Sequence, residues 1–128
     1  MDTTESNTTD RTIANGLFND LDVYQVNASL FSSIPKEDVE KGILMNTLGL
    51  AGEAGEVVDI VKKSLYHGHD WDIDKLNLEL GDVQWYVSEL ARFLGLLLSG
   101  VANANIKKLE KRYPKGYFES EKSINRSE

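Results

Sequence analysis

The chain has 128 residues, of which 41% are hydrophobic, and its 21 acidic and 14 basic side chains give a formal net charge of −7. This length predicts one domain that buries roughly two-thirds of its unfolded surface. The acidic balance argues against a nucleic-acid partner and against an anionic membrane surface. Cysteine is absent, which excludes disulfides and thiolate metal sites. No apolar run reaches the ~18 residues of a membrane span, and the first ten residues are too polar for a signal peptide, so we expect a soluble, cytoplasmic protein.

Four helices with short connections are predicted, which places the chain in the all-α class as a small four-helix bundle. Apolar residues recur at intervals of three and four over residues 16–31, 36–65, 74–94 and 99–112. Pro35 is suited to begin the second helix, and Gly95 to end the third. Asp72 or Asp74 can cap the third helix, and Ser99 can cap the fourth.

Residues 1–14 are polar and lack apolar periodicity, so we expect a disordered tail there. The domain is predicted over residues 15–118, with a frayed tail over 119–128. The predicted apolar positions are a buried stripe of Leu17, Leu21, Tyr24, Ala28 and Phe31 in the first helix, a wide apolar face of Ile43, Leu44, Leu48, Ala51, Ala54, Val57, Val58 and Val61 in the second, and a core face of Leu76, Leu80, Val83, Val87, Leu90 and Leu94 in the third. We expect some of these positions to be buried against a second copy.

Two carboxylate pairs stand one helical turn apart on consecutive helices. Glu53 and Glu56 lie on the second helix, and Glu79 and Asp82 on the third. A lone pair of this kind is common on a solvated helix face. Two pairs on helices whose axes pack ~8–10 Å apart can close on one cation. Oxygen ligands without His or Cys favour Mg²⁺ or Mn²⁺ over Zn²⁺.

Glycines accompany the first pair at Gly49, Gly52 and Gly55. Each glycine inside a helix costs ~1 kcal/mol relative to alanine. We therefore expect another body, either a helix or a polyphosphate, to approach this backbone closely.

The fourth helix carries the densest cationic patch of the chain, with Asn105, Lys108, Arg112 and Tyr113 within two turns. Taken alone, a solvated basic face is as good an interpretation. Opposite a Mg²⁺ site, the patch becomes a candidate clamp for phosphate oxygens, with arginine as the planar bidentate donor.

Several other residues allow two interpretations. Tyr86 follows Asp82 by four residues and either stacks on a nucleobase or packs in the core. Lys63 either assists at the substrate or complements the negative C-terminal end of its helix. We interpret Trp85 as a core or interface residue, and His67 and His69 as loop residues.

Three ordered stretches, GLAGEAGEVVDIVKK, KLNLELGDVQWYVSELARFLG and VANANIKKLEKRYPKGYF, resemble the MazG-like all-α nucleoside triphosphate pyrophosphohydrolases. The family pattern is a double glutamate, a third glutamate three residues later, and a Glu-x-x-Asp on the next helix. Glu53 and Glu56 match the second and third glutamates, whereas Gly52 replaces the first, as in the short single-domain members. Glu79 and Asp82 match the last pair.

The resemblance implies a Mg²⁺-dependent hydrolase in which Glu53, Glu56, Glu79 and Asp82 hold one or more ions and a carboxylate, Glu53 or Glu56, orients the attacking water. It implies that the nucleotide substrate is cut to a monophosphate and pyrophosphate, and that the protein is a homodimer or a dimer of dimers. By the same resemblance, the fourth-helix residues face the phosphates or the sugar and Tyr86 faces the base. The residues assigned to substrate binding are Lys63, Tyr86, Asn105, Lys108, Arg112 and Tyr113.

Two alternatives stay open at this point. The substrate could be another pyrophosphate-containing nucleotide, such as an alarmone or a phosphoribosyl adduct. A catalytically silent nucleotide-binding or oligomerisation module is the other alternative, and the intact carboxylate set argues against it.

Overall fold

A computed structural model describes residues 20–124, which form five helices and no strand. In chain order they are α1 (Leu21–Ser29), α2 (Val39–Tyr66), α3 (Ile73–Phe93), α4 (Leu98–Arg112) and α5 (Ser120–Ile124). The predicted all-α class is confirmed. The short α5 lies in the segment for which we predicted a frayed tail, and the predicted disordered tail over 1–14 lies outside the described residues.

The helix boundaries differ from the prediction mainly at two N-termini. Helix α2 begins at Val39 and not at residue 36, because the backbone N–H of Asp38 bonds to the carbonyl of Pro35 at 3.0 Å and closes a turn first. Helix α1 begins at Leu21, with the carboxylate of Asp20 accepting from the backbone N–H groups of Asp22 and Val23. The predicted start of this helix at residue 16 lies outside the described residues.

Asp72 caps α3, as one of the two predicted candidates, by accepting from the backbone N–H of Lys75 at 3.0 Å. The prediction that Ser99 caps α4 is wrong. That helix begins one residue earlier, and its first turn is capped from α1: Asp22 accepts from the Ser99 backbone N–H at 2.9 Å and from the Ser99 hydroxyl at 2.6 Å. These two bonds lower the pKa of the Asp22 carboxyl.

The antiparallel pair α2 and α3 forms the main body of the fold, and glycines fix its register. A Cβ added at Gly42 would overlap the ring of Phe93, and one added at Gly49 would overlap the ring of Tyr86. Both rings can therefore lie directly on the α2 backbone. The two contacts stand seven residues apart on each helix and define one continuous antiparallel alignment.

Helix α1 is held across α3 and α4 largely by polar contacts. Buried Gln25 donates to the carbonyl of Leu96 at 3.0 Å and accepts from the backbone N–H of Leu98 at 3.0 Å. The indole N–H of Trp85 donates to the carbonyl of Ala28 at 3.0 Å. Trp85 thus serves packing, in agreement with its interpretation as a core residue.

Helix α3 carries an ion pair whose carboxylate is buried. Glu89 is fully buried and accepts from both the Nε (3.1 Å) and the Nη2 (2.6 Å) of Arg92. The same guanidinium lies 4.4 Å from the centroid of the Phe93 ring. Because an unpaired buried carboxylate is strongly destabilising, Arg92 is what allows Glu89 to remain in this position.

The apolar core of a single chain is small. Among residues 20–124 the buried apolar side chains are Ala28, Ile60, Ala91, Phe93, Leu98 and Tyr113. In the predicted apolar face of α2, Leu44, Leu48, Ala51, Ala54 and Val58 are exposed in the single chain. The predictions that Leu21 and Phe31 belong to a buried stripe and that Leu80 and Leu94 face the core are wrong for the single chain, since all four are exposed. Helix α3 covers only one side of α2, so the opposite side of the apolar band is not covered by any of residues 20–124.

Within residues 20–124, no single helix is long and apolar enough to cross a membrane. Helices α3 and α4 satisfy the length and composition criteria only as a pair, and that pair is bent by 100°.

The register contact predicts opposite outcomes for two glycine substitutions. Gly49→Ala should lower the free energy of unfolding by about 1–3 kcal/mol because the added methyl overlaps Tyr86. Gly52→Ala should leave it unchanged or raise it by up to about 1 kcal/mol, since nothing lies within 4 Å of that position. Chemical denaturation measures both variants, and equal effects would contradict the register.

The cap from α1 predicts a pH-dependent stability difference. Because the pKa of Asp22 is lowered on folding, its charge stabilises the fold above the ordinary aspartate range, and this stabilisation is lost as the pH falls through the folded-state pKa. Asp22→Asn should therefore lower Tm at neutral pH and have a shrinking effect as the solution is acidified. Asp38→Asn is the control, since its side chain makes no cap hydrogen bond. A pH-independent Tm difference would refute this account.

Candidate metal centre

Three carboxylates converge between α2 and α3. One oxygen each of Glu53, Glu79 and Asp82 lies within 4.8 Å of the other two. Glu53 and Glu79 are half-buried, and Asp82 is exposed. The structure therefore brings together three of the four predicted ligands on facing helices.

The glycine register explains why these side chains meet. Gly49 lies against Tyr86, and Glu53 and Asp82 each stand four residues further toward the loop that joins the two helices. One more turn along the same alignment brings Glu56 opposite Glu79. The carboxylates thus lie in the two helical turns that follow the contact between Gly49 and Tyr86.

Glu56, the fourth predicted ligand, is exposed and does not belong to the group of three. It is nevertheless close enough for its charge to act on Glu53 and on Lys63. Its position suits a ligand that completes the shell of an ion, or a base that contacts such an ion through water.

The cluster carries uncompensated negative charge. Burial, then the charges of Asp82 and Glu79, a hydrogen bond to Glu79 and the charge of Glu56 raise the pKa of Glu53. Folding therefore places like charges together at neutral pH, which disfavours the folded state until a cation or a proton compensates them. A hard divalent cation fits this donor set, because all three ligand atoms are carboxylate oxygens.

Tyr86 and Tyr24 adjoin the cluster. The Tyr86 ring lies on Gly49 and makes an edge-to-face contact with Trp85 at 5.0 Å between centroids. One side of the predicted base-stacking residue is thus used in packing. On α1, burial and the charges of Asp82 and Glu89 raise the pKa of Tyr24, which places this hydroxyl beside the acidic face of α3.

Lys63 forms an ion pair with Asp59 one turn away on α2, with Nζ 2.8 Å from Oδ2. The Lys63 hydrogen bond and the charges of Lys63, Lys62 and Lys75 lower the pKa of Asp59, and the Asp59 carboxylate in turn raises the pKa of Lys63. Both side chains are about half exposed, so the pair contributes little to stability. Lys63 remains within electrostatic reach of Glu56.

The residues predicted as a phosphate clamp lie in different local environments. Asn105 lines a cleft of about 420 Å³ together with Gln84, which is about 200° around α3 from Asp82. Tyr113 is buried, its ring 5.3 Å from that of Phe118, and Arg112 lies 5.8 Å from the Tyr113 centroid. Lys108 is exposed. Their role as a phosphate clamp stays a prediction.

Sequence reasoning missed two features beside the site. The sequence pattern predicts Tyr24 only as part of an apolar stripe, and it does not predict the buried Glu89–Arg92 pair. A signal existed, because Glu89 stands seven residues after Asp82 and therefore shares its side of α3. No pattern in α1 shows which part of α3 its tyrosine reaches.

Comparison with known proteins identifies the class. The sequence profile of the MazG nucleotide pyrophosphohydrolase domain matches residues 42–117, more than half of the chain, so the chain belongs to this family. The match contains the carboxylate cluster and α4. Membership supports a nucleotide pyrophosphohydrolase activity in general terms.

One curated protein is similar to this chain over most of that protein's length. The Gene 37 protein of Mycobacterium phage L5 is 40% identical over 107 residues, which cover 77% of this chain and 93% of that protein. No solved structure matches the chain.

The cluster predicts stabilisation by divalent cations. Mg²⁺ or Mn²⁺ should raise Tm with increasing concentration at neutral pH, because a bound ion offsets the repulsion around Glu53. The double variant Glu53→Gln/Asp82→Asn should lose this dependence and be at least as stable without the ion. Glu40→Gln, an exposed substitution elsewhere on α2, should keep it. Thermal unfolding across a metal series measures all three, and an equal response would place the ion elsewhere.

Proposed function

We propose that this protein is a Mg²⁺-dependent pyrophosphohydrolase that cuts nucleoside or deoxynucleoside triphosphates to a monophosphate and pyrophosphate. The observation that carries the proposal is the convergence of Glu53, Glu79 and Asp82 in a chain of the MazG family. A triphosphate brings several negative charges to a site that is itself negative, so the proposal requires a cation between them.

Glu53, Glu79 and Asp82 would hold that ion, with Glu56 as the fourth ligand. Mg²⁺ is the expected metal, and Mn²⁺ can substitute because it accepts the same oxygen ligands. When bound, the ion supplies charge neutralisation at the phosphates and lowers the pKa of a coordinated water.

The chain's own groups would position the reactants. Glu53 is one candidate acceptor for the proton of an attacking water, because its carboxylate lies in the cluster that would hold the ion. Glu56 is the alternative base, being exposed and close to Glu53. Attack in line at the α-phosphorus breaks its bond to the bridging oxygen, and pyrophosphate leaves with that oxygen. Lys63 approaches Glu56 from the loop side and can compensate the leaving charge.

We also propose self-association as a homodimer or a dimer of dimers. One side of α2 exposes the α2 stripe, defined as Leu44, Leu48, Ala51, Gly55 and Val58. Its members follow the alternating spacing of four and three that is typical of helix-to-helix packing. A Cβ added at Gly55 would meet no other atom of the described residues within 4 Å, so a second helix can approach there. A second copy could also supply the phosphate clamp of Lys108 and Arg112, which lie on α4.

A different nucleotide with a pyrophosphate linkage is the second candidate, because a cation held by the carboxylate cluster would contact phosphates and not the base. Comparison of kcat/KM over a panel that includes an alarmone and a phosphoribosyl nucleotide separates the two, since the true substrate should have by far the highest value.

For a non-catalytic nucleotide-binding module, Glu56→Ala and Asp82→Ala would leave the biological role intact. A cytoplasmic location, where free nucleotides occur, belongs to the same proposal.

The reaction predicts a specific product. With Mg²⁺ and a panel of nucleoside triphosphates, the wild-type protein should release pyrophosphate and monophosphate in equal amounts. Glu79→Gln should reduce kcat/KM by more than about 10- to 100-fold, because that is the usual loss when a group that only orients a metal ligand is removed. The control Glu40→Gln should behave as wild type. Release of orthophosphate in place of pyrophosphate would reject this reaction.

Self-association predicts a change in mass. Light scattering at micromolar concentration should give at least a dimer, and Leu48→Glu should shift it toward monomer because the charge would be buried against the second copy. Ile124→Glu is the control, because it introduces the same negative charge at an exposed aliphatic residue outside the α2 stripe. A monomeric wild-type protein would refute the interface.

A further inference from the structure

A polar cleft of about 490 Å³ lies where the loop after α2 returns to α3. Lys63 and Ser64 line it from the last turns of α2, His69 from the loop, and Lys75 from the first turn of α3. Lys63, His69 and Lys75 are all hydrogen-bond donors that suit phosphate oxygens. In a chain of net charge −7, such a group of donors around one cleft is unexpected.

The loop that carries His69 is anchored to α2. The backbone N–H groups of His67 and His69 donate to the carbonyl of Lys63 at 3.1 and 3.3 Å. Gly68 between them has φ of 69°, a left-handed conformation that glycine adopts without strain. The Ser64 hydroxyl also lies 3.5 Å from the carbonyl of Asp70. These hydrogen bonds therefore hold the loop that lines the cleft against the end of α2.

The acidic groups near the cleft are partly engaged by other partners. Asp72 accepts from the backbone N–H of Lys75, and Asp59 is paired with Lys63. The carboxylate of Asp70 also lines the cleft and opposes an anion. The ammonium group of Lys63 has three donors, and Asp59 uses one of them.

The cleft lies on the loop side of the carboxylate cluster along both helices. Lys75 precedes Glu79 by four residues on α3, about 6 Å along the helix axis. Lys63 follows Glu56 by seven residues on α2, about 10 Å along the axis, and their charges interact. A polyphosphate with one phosphate at the cluster can therefore extend along both helices toward the loop.

We propose that this cleft binds a linked pair of phosphate groups, with Lys75 and His69 joining Lys63 as donors, and that it receives the terminal phosphates of the substrate. The second part rests on the proposed function. The first part, an anion site at the α2–α3 loop, is independent of catalysis. It gives a role to the His-Gly-His sequence, which was interpreted above as loop residues only.

The test uses the two histidines of the full-length protein as spectroscopic probes. Inorganic pyrophosphate is titrated at constant pH with EDTA present, and the imidazole C–H signals are followed by NMR, with His67→Gln and His69→Gln for assignment. The His69 signal should shift saturably, whereas the His67 signal should move less, because only His69 lines the cleft. Equal and non-saturable shifts of both signals would overturn the site.

Lys75→Gln should weaken pyrophosphate binding about tenfold, the effect of losing one charge-assisted hydrogen bond. Lys41→Gln removes the same charge from the far end of α2 and should leave binding unchanged. Circular dichroism confirms that each variant is folded. Binding that survives both Lys75→Gln and His69→Gln would place the anion elsewhere and overturn the proposal.

A kinetic experiment tests the link to the substrate. In Mg²⁺, Lys75→Gln and His69→Gln should raise the KM of the triphosphate found in the substrate panel several-fold, with kcat nearly unchanged. An unchanged KM alongside weakened pyrophosphate binding would show that the cleft takes only the free anion, and would overturn its assignment to the substrate. If no triphosphate is hydrolysed, the proposed function fails while the NMR titration still decides the anion site.

Discussion

The contact between the α2 backbone and the aromatic rings of α3 is the constraint on which the rest of the structure depends. Gly42 receives Phe93 and Gly49 receives Tyr86, and no residue with a Cβ would leave room for either ring. These two layers hold the helices close together and in one register. The carboxylates follow in the next layers of the same register, so their meeting is a consequence of how the glycines pack.

The small core makes this register more important. Few apolar side chains are buried in the described part of the chain, and α1 is attached through Gln25, Asp22 and the indole of Trp85. Hydrogen bonds of this kind fix direction and position but add only about 0.5–1.5 kcal/mol each. A fold built in this way has a well-defined geometry and leaves the uncovered side of α2 available for a second copy.

Charge is distributed along the α2–α3 pair in a consistent order. The carboxylates of Glu53, Glu79 and Asp82 occupy its middle, and Lys63 and Lys75 lie toward the loop. A cation at the middle and phosphates toward the loop would satisfy both groups at once. In the proposed function, this order would let an acidic protein accept an anionic substrate, since the local arrangement of charges matters more than their sum.

The sequence by itself predicted the four longer helices and the carboxylate pairs Glu53/Glu56 and Glu79/Asp82, because helical periodicity and i, i+3 spacing are local properties that survive in any packing. It also predicted a close approach to the backbone at Gly49, Gly52 and Gly55, which the described residues provide at Gly49 and not at the other two. Only the tertiary structure decided that the approaching group is Tyr86, and that Asp22 and not Ser99 caps α4. These outcomes depend on which side of each helix its neighbours cover, and that is set by contacts between residues far apart in the chain.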